Sequence, residues 1–150
     1  MKFEHQIAID AARGQVWAVL SDFPQAASLM PDVSEVRELD DGSYQGTMRV
    51  RVGPIGLNLT GTIEIEQDEP HGRWNMRVRA RDKRVGGGVQ ASIEITLVER
   101  DEDKSELNVK TDVQFIGRLG DLGQPLIKRK ADSTIQKFAE NLRLAVSGKG

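Results

Sequence analysis

The sequence predicts an α+β fold in which a curved antiparallel sheet of six or seven strands wraps one long C-terminal helix, with two short helices after the first strand. Three observations carry this. Apolar and polar residues alternate through most of residues 44–115, which is the period of half-buried strands. Short turns rich in glycine, proline and aspartate separate the alternating runs. Between Leu122 and Val146 the apolar residues recur instead at three- and four-residue steps, the period of a helix.

Residues 2–9 already alternate, with Phe3, His5, Ile7 and Ile9 on one face and Lys2, Glu4 and Gln6 on the other. Asp10 is expected to cap a short helix whose apolar stripe is Val16, Val19 and Leu20, widened by Trp17. Pro24 suits the first turn of a second helix over residues 25–29, and Pro31 ends it because its ring cannot continue the hydrogen-bond ladder. Tyr44, Gly46, Met48, Val50 and Val52 then share a strand face. A turn at Gly53-Pro54-Ile55-Gly56 leads to Leu57, Leu59, Gly61, Ile63 and Ile65.

Pro70-His71-Gly72 turns the chain into a strand with Trp74, Met76, Val78 and Ala80 on one face and Arg73, Arg77, Arg79 and Arg81 on the other. Beyond Gly86-Gly87-Gly88 follow Val89, Ala91, Ile93, Ile95 and Leu97, the charged turn Asp101 to Lys104, and Leu107, Val109, Thr111, Val113 and Phe115. Gly117, Gly120 and Gly123 break the pattern, and Pro125 opens the helix. Over residues 125–146 it spans roughly 33 Å at about 1.5 Å per residue, enough to cross a small sheet diagonally. Gly46 and Gly61, inside strands, mark where the sheet bends. A bent sheet against a straight helix leaves a gap that side chains need not fill.

A chain of 150 residues fits one domain, residues 1–150, and buries a core without metal or disulfides. A formal charge of -2 offers no excess of cations for nucleic acid. The absence of cysteine removes disulfide scaffolds, thiol catalysis and Cys-based metal sites. The two histidines, His5 and His71, stand at no metal-ligand spacing, so neither a metal nor a cofactor is implied. With no signal-peptide apolar core and no 18-residue apolar run, the expectation is a soluble cytoplasmic protein.

Four stretches narrow the reading: Ile9 to Pro31, Tyr44 to Gly61 with its Val52-Gly53-Pro54-Ile55, the glycine-led strand Gly87 to Leu97, and Gly117 to Gly123 before the helix. Together with the element order, these resemble the helix-grip fold of the START and Bet v 1-like (SRPBCC) superfamily, and within it the G-subunit family of carbon monoxide dehydrogenase. The resemblance implies a non-catalytic protein that holds an apolar molecule, lipid- or quinone-like, and in some members supports a molybdenum hydroxylase at the membrane. Members that attach to membranes tend to carry a C-terminal extension. Here the sequence stops at Gly150, which is compatible with a transient membrane contact or with a cytosolic carrier for some other apolar molecule.

The candidate ligand cavity is lined by His5, Met30, Tyr44, Met48, Leu59, Trp74, Met76, Thr111, Phe115 and Ile127. Methionine tolerates ligands of varied outline, and His5, Tyr44 and Thr111 are the polar groups available to orient one. The same stripes also read as ordinary core. The ligand is expected to enter near the second short helix and the triple glycine. No carboxylate or nucleophile stands at a recognisable spacing from His5, so no catalytic set is assigned. The alternative is a polyketide cyclase- or dehydratase-like enzyme that uses cavity polar groups as acid and base. An oxidoreductase is a further candidate partner. Lys128-Arg129-Lys130 sits near the positive end of the helix, where cations are mildly unfavourable, and reads as solvated surface or as a contact for an acidic partner or lipid headgroup.

Overall fold

The computed structural model describes residues 1–147. Seven strands, β1 (Lys2–Ile9), β2 (Val33–Glu38), β3 (Tyr44–Val52), β4 (Ile55–Asp68), β5 (Arg73–Asp82), β6 (Gly87–Asp101) and β7 (Lys104–Gly117), form one antiparallel sheet in the order β1-β7-β6-β5-β4-β3-β2. Strands β2 to β7 are therefore a plain meander. The helices α1 (Arg13–Leu20) and α2 (Phe23–Ser28) carry the chain from one sheet edge, β1, to the other, β2. A 3₁₀ turn at Arg118–Asp121 leads into α3 (Gln124–Ser147), whose 24 residues span about 36 Å.

The in/out alternation is unbroken in β1 and β5. Trp74 is buried and Met76, Val78 and Ala80 are half-buried, while Arg73, Arg77, Arg79 and Arg81 are exposed. Cross-strand register places the inner-face residues in rows, such as His5, Val109, Ile95 and Trp74 on β1, β7, β6 and β5. Glu64 stands opposite Arg77 on the outer face, but of the six arginines on this face, from Arg49 to Arg81, Arg73 alone has a carboxylate within 4.0 Å among the described residues, Glu94 at 3.8 Å.

Two glycines fix the shape. Gly53 has φ +59 and is followed by Pro54, which cannot take a positive φ. Of the two-residue hairpin turns, this suits type II′ and not I′, and the turn is two residues long, with Ile55 already opening β4. Gly46 and Gly61 lie directly opposite one another on β3 and β4, in unbroken register. At Gly61 a Cβ would stand 1.8 Å from the Arg79 carbonyl oxygen and 2.5 Å from Ala80 Cα, so β4 and β5 come together at a distance that glycine alone allows.

Several local expectations are corrected. Asp10 does not cap α1: the N-cap is Ala12, whose N–H donates to Gln15 Oε1 at 3.2 Å, so the first turn is closed from inside the helix. Helix α2 begins two residues before the expected start, because Asp22 caps it by accepting from the Gln25 N–H at 3.3 Å. Residues 33–38 form the edge strand β2, which the apolar alternation did not mark.

The turn between β5 and β6 is organised by Asp82, 2% exposed. Its carboxylate accepts from the backbone N–H of Asn58 (2.8 Å), Arg84 (2.9 Å) and Val85 (3.2 Å). These bonds, that of Asn58 foremost, hold the carboxyl below its usual range despite burial.

Candidate functional site

The inner face of the sheet and the inner side of α3 are packed at both ends and loose between them. One core cluster joins Ile7, Ile9, Val16, Trp74, Leu97, Leu107 and Val109 to Ala139, Leu142 and Val146 of α3. A second, smaller one joins Val52, Leu57, Leu59 and Leu119, with Phe115, Leu122 and Leu126 against it. Met48, Ile63, Met76, Val78 and Ala91 face the same side between these clusters, belong to neither, and are half-buried. On α3, Ala131 and Thr134 are half-buried as well. The helix backbone comes closest to α1, β1 and β3, so it is braced on the flanks of the curved sheet.

The expected lining residues divide accordingly. Leu59 and Trp74 are buried within the two clusters, Trp74 stacked on Trp17 with ring centroids 4.3 Å apart, and Ile127 is buried near the start of α3. Phe115 is half-buried and packs on the second cluster. Met48, Met76 and Thr111 lie in the loose middle, with Thr111 opposite Phe3 and Ile93 in register. Met30 is half-buried just beyond α2, next to Leu29, whose carbonyl accepts from Asn141 Nδ2 of α3 at 2.9 Å. Tyr44 lies against Phe23 (centroids 4.6 Å), and burial together with Glu38 and Asp22 pushes its hydroxyl above the ordinary value. It stays protonated at neutral pH.

His5 has a partner that the sequence did not reveal. Its Nε2 lies 2.9 Å from Asp132 Oδ1 of α3, and Lys128 Nζ donates to Asp132 Oδ2 at 3.2 Å. Those two bonds, the one from His5 foremost, keep the Asp132 carboxyl below its usual range. An ionised Asp132 accepts only, so Nε2 donates to it, and Nδ1 is buried without a protein partner. The indole N–H of Trp74, in the same cross-strand row, is likewise buried without a partner. Lys130 reaches Asp32, before β2, at 3.1 Å, although out of line for a hydrogen bond. Lys130 thus ties α3 to the segment before β2, Lys128 pairs within the helix, and Arg129 has no carboxylate within 4.0 Å among the described residues.

His5 and Tyr44 sit on β1 and β3, five strands apart, and do not meet. His71 is exposed and bonded through Nδ1 to Asp68 at 2.8 Å. Among the described residues no group of three His, Asp or Glu side chains could hold a metal ion, and no helix is long and apolar enough to cross a membrane. A concave surface of about 920 Å³ lies on the outer face of the sheet. Glu4, Glu64, Glu66 and Glu94 line it together with Lys2, Arg77 and Lys110, so it is a solvated charged trough and not an apolar site.

A seven-stranded antiparallel sheet curved around a long C-terminal helix, with short helices between the first two strands, is the helix-grip fold of the START and Bet v 1-like superfamily. Solved structures share it. A conserved protein from Geobacillus kaustophilus superposes with a TM-score of 0.89 at 15% identity, covering 99% of this chain and 97% of that one. The Zhui aromatase/cyclase from Streptomyces sp. R1128 gives 0.66 at 19% identity, covering 99% and 92%. A START superfamily protein from Mycobacterium smegmatis gives 0.69 at 15%, covering 99% of each chain. Comparison with curated proteins by sequence found no match. Residues 6–147 match the model of one sequence family, and the chain belongs to it: CoxG, the G-subunit family of carbon monoxide dehydrogenase.

Proposed function

We propose that this protein binds and carries an apolar small molecule, lipid- or quinone-like, between the inner face of the sheet and α3, in support of an oxidoreductase of the molybdenum hydroxylase class. The observation that carries the reading is the divided core. A folded chain of this size closes its apolar middle unless something else is to occupy it, and here Met48, Met76, Val78 and Ala91 stay half-buried between two packed clusters. Burying apolar ligand surface there supplies about 25 cal/mol per Å². Two buried polar atoms at the margin of the middle, His5 Nδ1 and the Trp74 indole N–H, have no protein partner and are left to orient a ligand bearing a hydroxyl or carbonyl. The family name supports the link to an oxidoreductase.

The His5–Asp132 pair is what favours the second reading, a cyclase- or dehydratase-like enzyme with His5 as the base. The carrier reading ranks first because among the described residues His5 hydrogen-bonds no acid or base besides Asp132, and the one tyrosine is held protonated against Phe23. Titration with an environment-sensitive apolar dye tests it. The native protein should bind one dye per chain saturably. Ala91→Phe, which fills the middle of the inner face, should weaken binding at least tenfold while circular dichroism stays native. Equal dye binding by both proteins would place the site elsewhere.

A further inference from the structure

An open sheet ends in two strands whose outer main-chain groups have no ladder to join. Here these are β1 and β2. The β1 edge is met by α3, from which Arg143 Nε donates to the Ala8 carbonyl at 3.0 Å. At the other edge, α2 meets the β2–β3 hairpin on the inner face, where Phe23 packs on Tyr44. Among the described residues the side-chain hydrogen bonds of β2 run to β3, from Ser34 to the Thr47 carbonyl (3.3 Å) and from Arg37 to Gln45 (2.5 Å). Glu35, Arg37 and Glu38 are exposed and Val36 is half-buried.

Across the hairpin the Leu39 N–H donates to the Ser43 carbonyl at 2.8 Å, so Leu39 turns its main chain toward β3. This direction alternates along a strand, so Arg37 and Glu35, two and four residues back, also turn toward β3. Accordingly, the Glu35 carbonyl oxygen lies 3.5 Å from where a Cβ on Gly46 would stand. Val36 and Glu38 turn their N–H and C=O groups away from the sheet. The Val36 side chain lies on the inner face, its Cγ2 4.0 Å from that same point, while Glu35 and Arg37 are on the outer face, opposite Thr47 and Gln45. Neither Glu35 nor Arg37 has an opposite charge within 4.0 Å among the described residues.

We propose that β2 is the interface of a homodimer, in which it pairs antiparallel with β2 of a second copy about a twofold axis at Val36. Val36 then stands opposite its own equivalent, and both turn out the N–H and C=O groups that a hydrogen-bonded pair exchanges. One residue to either side, Glu35 faces Arg37 of the second copy and Arg37 faces its Glu35. The two unpaired charges of one chain thus complement those of the other twice, as an isologous contact requires. The same charges set the register. Outward groups recur every second residue, and a slide by two residues sets Arg37 against Arg37 in one direction and Glu35 against Glu35 in the other, like on like. Charges on an edge strand deter an apolar foreign strand, whereas this chain's own β2, run antiparallel, supplies their complement. Because Val36 lies on the inner face in both copies, the two sheets join into one with both α3 helices on the same side. The inference goes beyond the carrier reading and does not rest on it.

Sedimentation velocity over a wide range of protein concentration tests it. The native chain should pass from monomer to dimer as concentration rises, because pairing through one six-residue strand makes a small and reversible interface. Arg37→Glu and Glu35→Arg should each weaken the dimer about tenfold or more, since each turns two opposite-charge pairs into two like ones, while circular dichroism stays native. Combined in one chain, the two substitutions exchange the signs, keep the complementarity and should restore dimerisation. Mixing the two single variants should give a heterodimer although neither pairs with itself. A native chain that stays monomeric at the highest concentration would overturn the proposal and leave the edge to its charges or to a different strand. So would a dimer that both single variants leave intact, or one that the double variant fails to restore.

Discussion

Gly61→Ala is expected to destabilise the protein by about 3 kcal/mol, the upper part of the range for overpacking a filled site, which lowers the melting temperature by roughly 6–12 °C for a domain of this size. The new methyl group would meet backbone, the Arg79 carbonyl oxygen at 1.8 Å and Ala80 Cα at 2.5 Å, and backbone in a central strand pair cannot swing aside as a side chain can. Relief requires β4 and β5 to separate, which flattens the sheet where it bends. The glycine facing it is the control. At Gly46 the nearest atoms to a Cβ are Ile63 Cδ1 at 3.4 Å and the Glu35 carbonyl oxygen at 3.5 Å, ordinary contacts, so Gly46→Ala should cost less than about 1 kcal/mol or stabilise slightly by restricting the unfolded chain. Urea unfolding of the two variants checks the contrast. Equal, small effects would mean that the bend is not set by the close approach at Gly61.

Asp82→Ala should be at least as damaging, at about 3–5 kcal/mol, because it strands three backbone N–H groups that the carboxylate accepts from, and each buried unsatisfied donor costs about 1–3 kcal/mol. Asp82→Asn keeps the shape and one acceptor oxygen and should fall between. The pH dependence carries its own sign. The folded carboxyl titrates below the ordinary 3.8, so its contribution is fully present above that value and is lost as pH falls through the lower, folded value. The native protein should therefore lose stability steeply below about pH 4. Asp41, Asp68 and Asp132 shift in the same direction, so the test is the difference between native protein and Asp82→Ala. That difference should shrink in acid. A gap that stays constant from pH 7 to pH 3 would show that the bonds do not depend on the ionised form.

The strand faces and the long helix were legible because their apolar periods are unbroken, and the resemblance drawn from the same stretches led to the family that the chain belongs to. What escaped did so for physical reasons. Strand β2 has two apolar residues, Val33 and Val36, three apart, and a register shift between Val33 and Glu35 spoils the alternation. Asp10 resembles an N-cap in sequence, but the helix starts later and Gln15 closes its first turn. Asp82 and Asp132 look like solvated charges, since the partners that tie them to other elements, Asn58 and His5, are 24 and 127 residues away. The alternating pattern likewise placed Met48 and Leu59 on one face without distinguishing them. Leu59 is 8% exposed and its cross-strand neighbour Met48 is half-buried, a difference set by how α3 and the turn at Arg118–Asp121 lie over them.

The central claim, that the middle of the core is a place for an apolar guest, is tested most directly by native mass spectrometry of the protein purified without detergent, followed by organic extraction. The account predicts a recurring mass increment of a single lipid- or quinone-sized molecule per chain, released by extraction and diminished in Ala91→Phe. A bare protein mass in preparation after preparation, unchanged after incubation with a lipid extract, would contradict it.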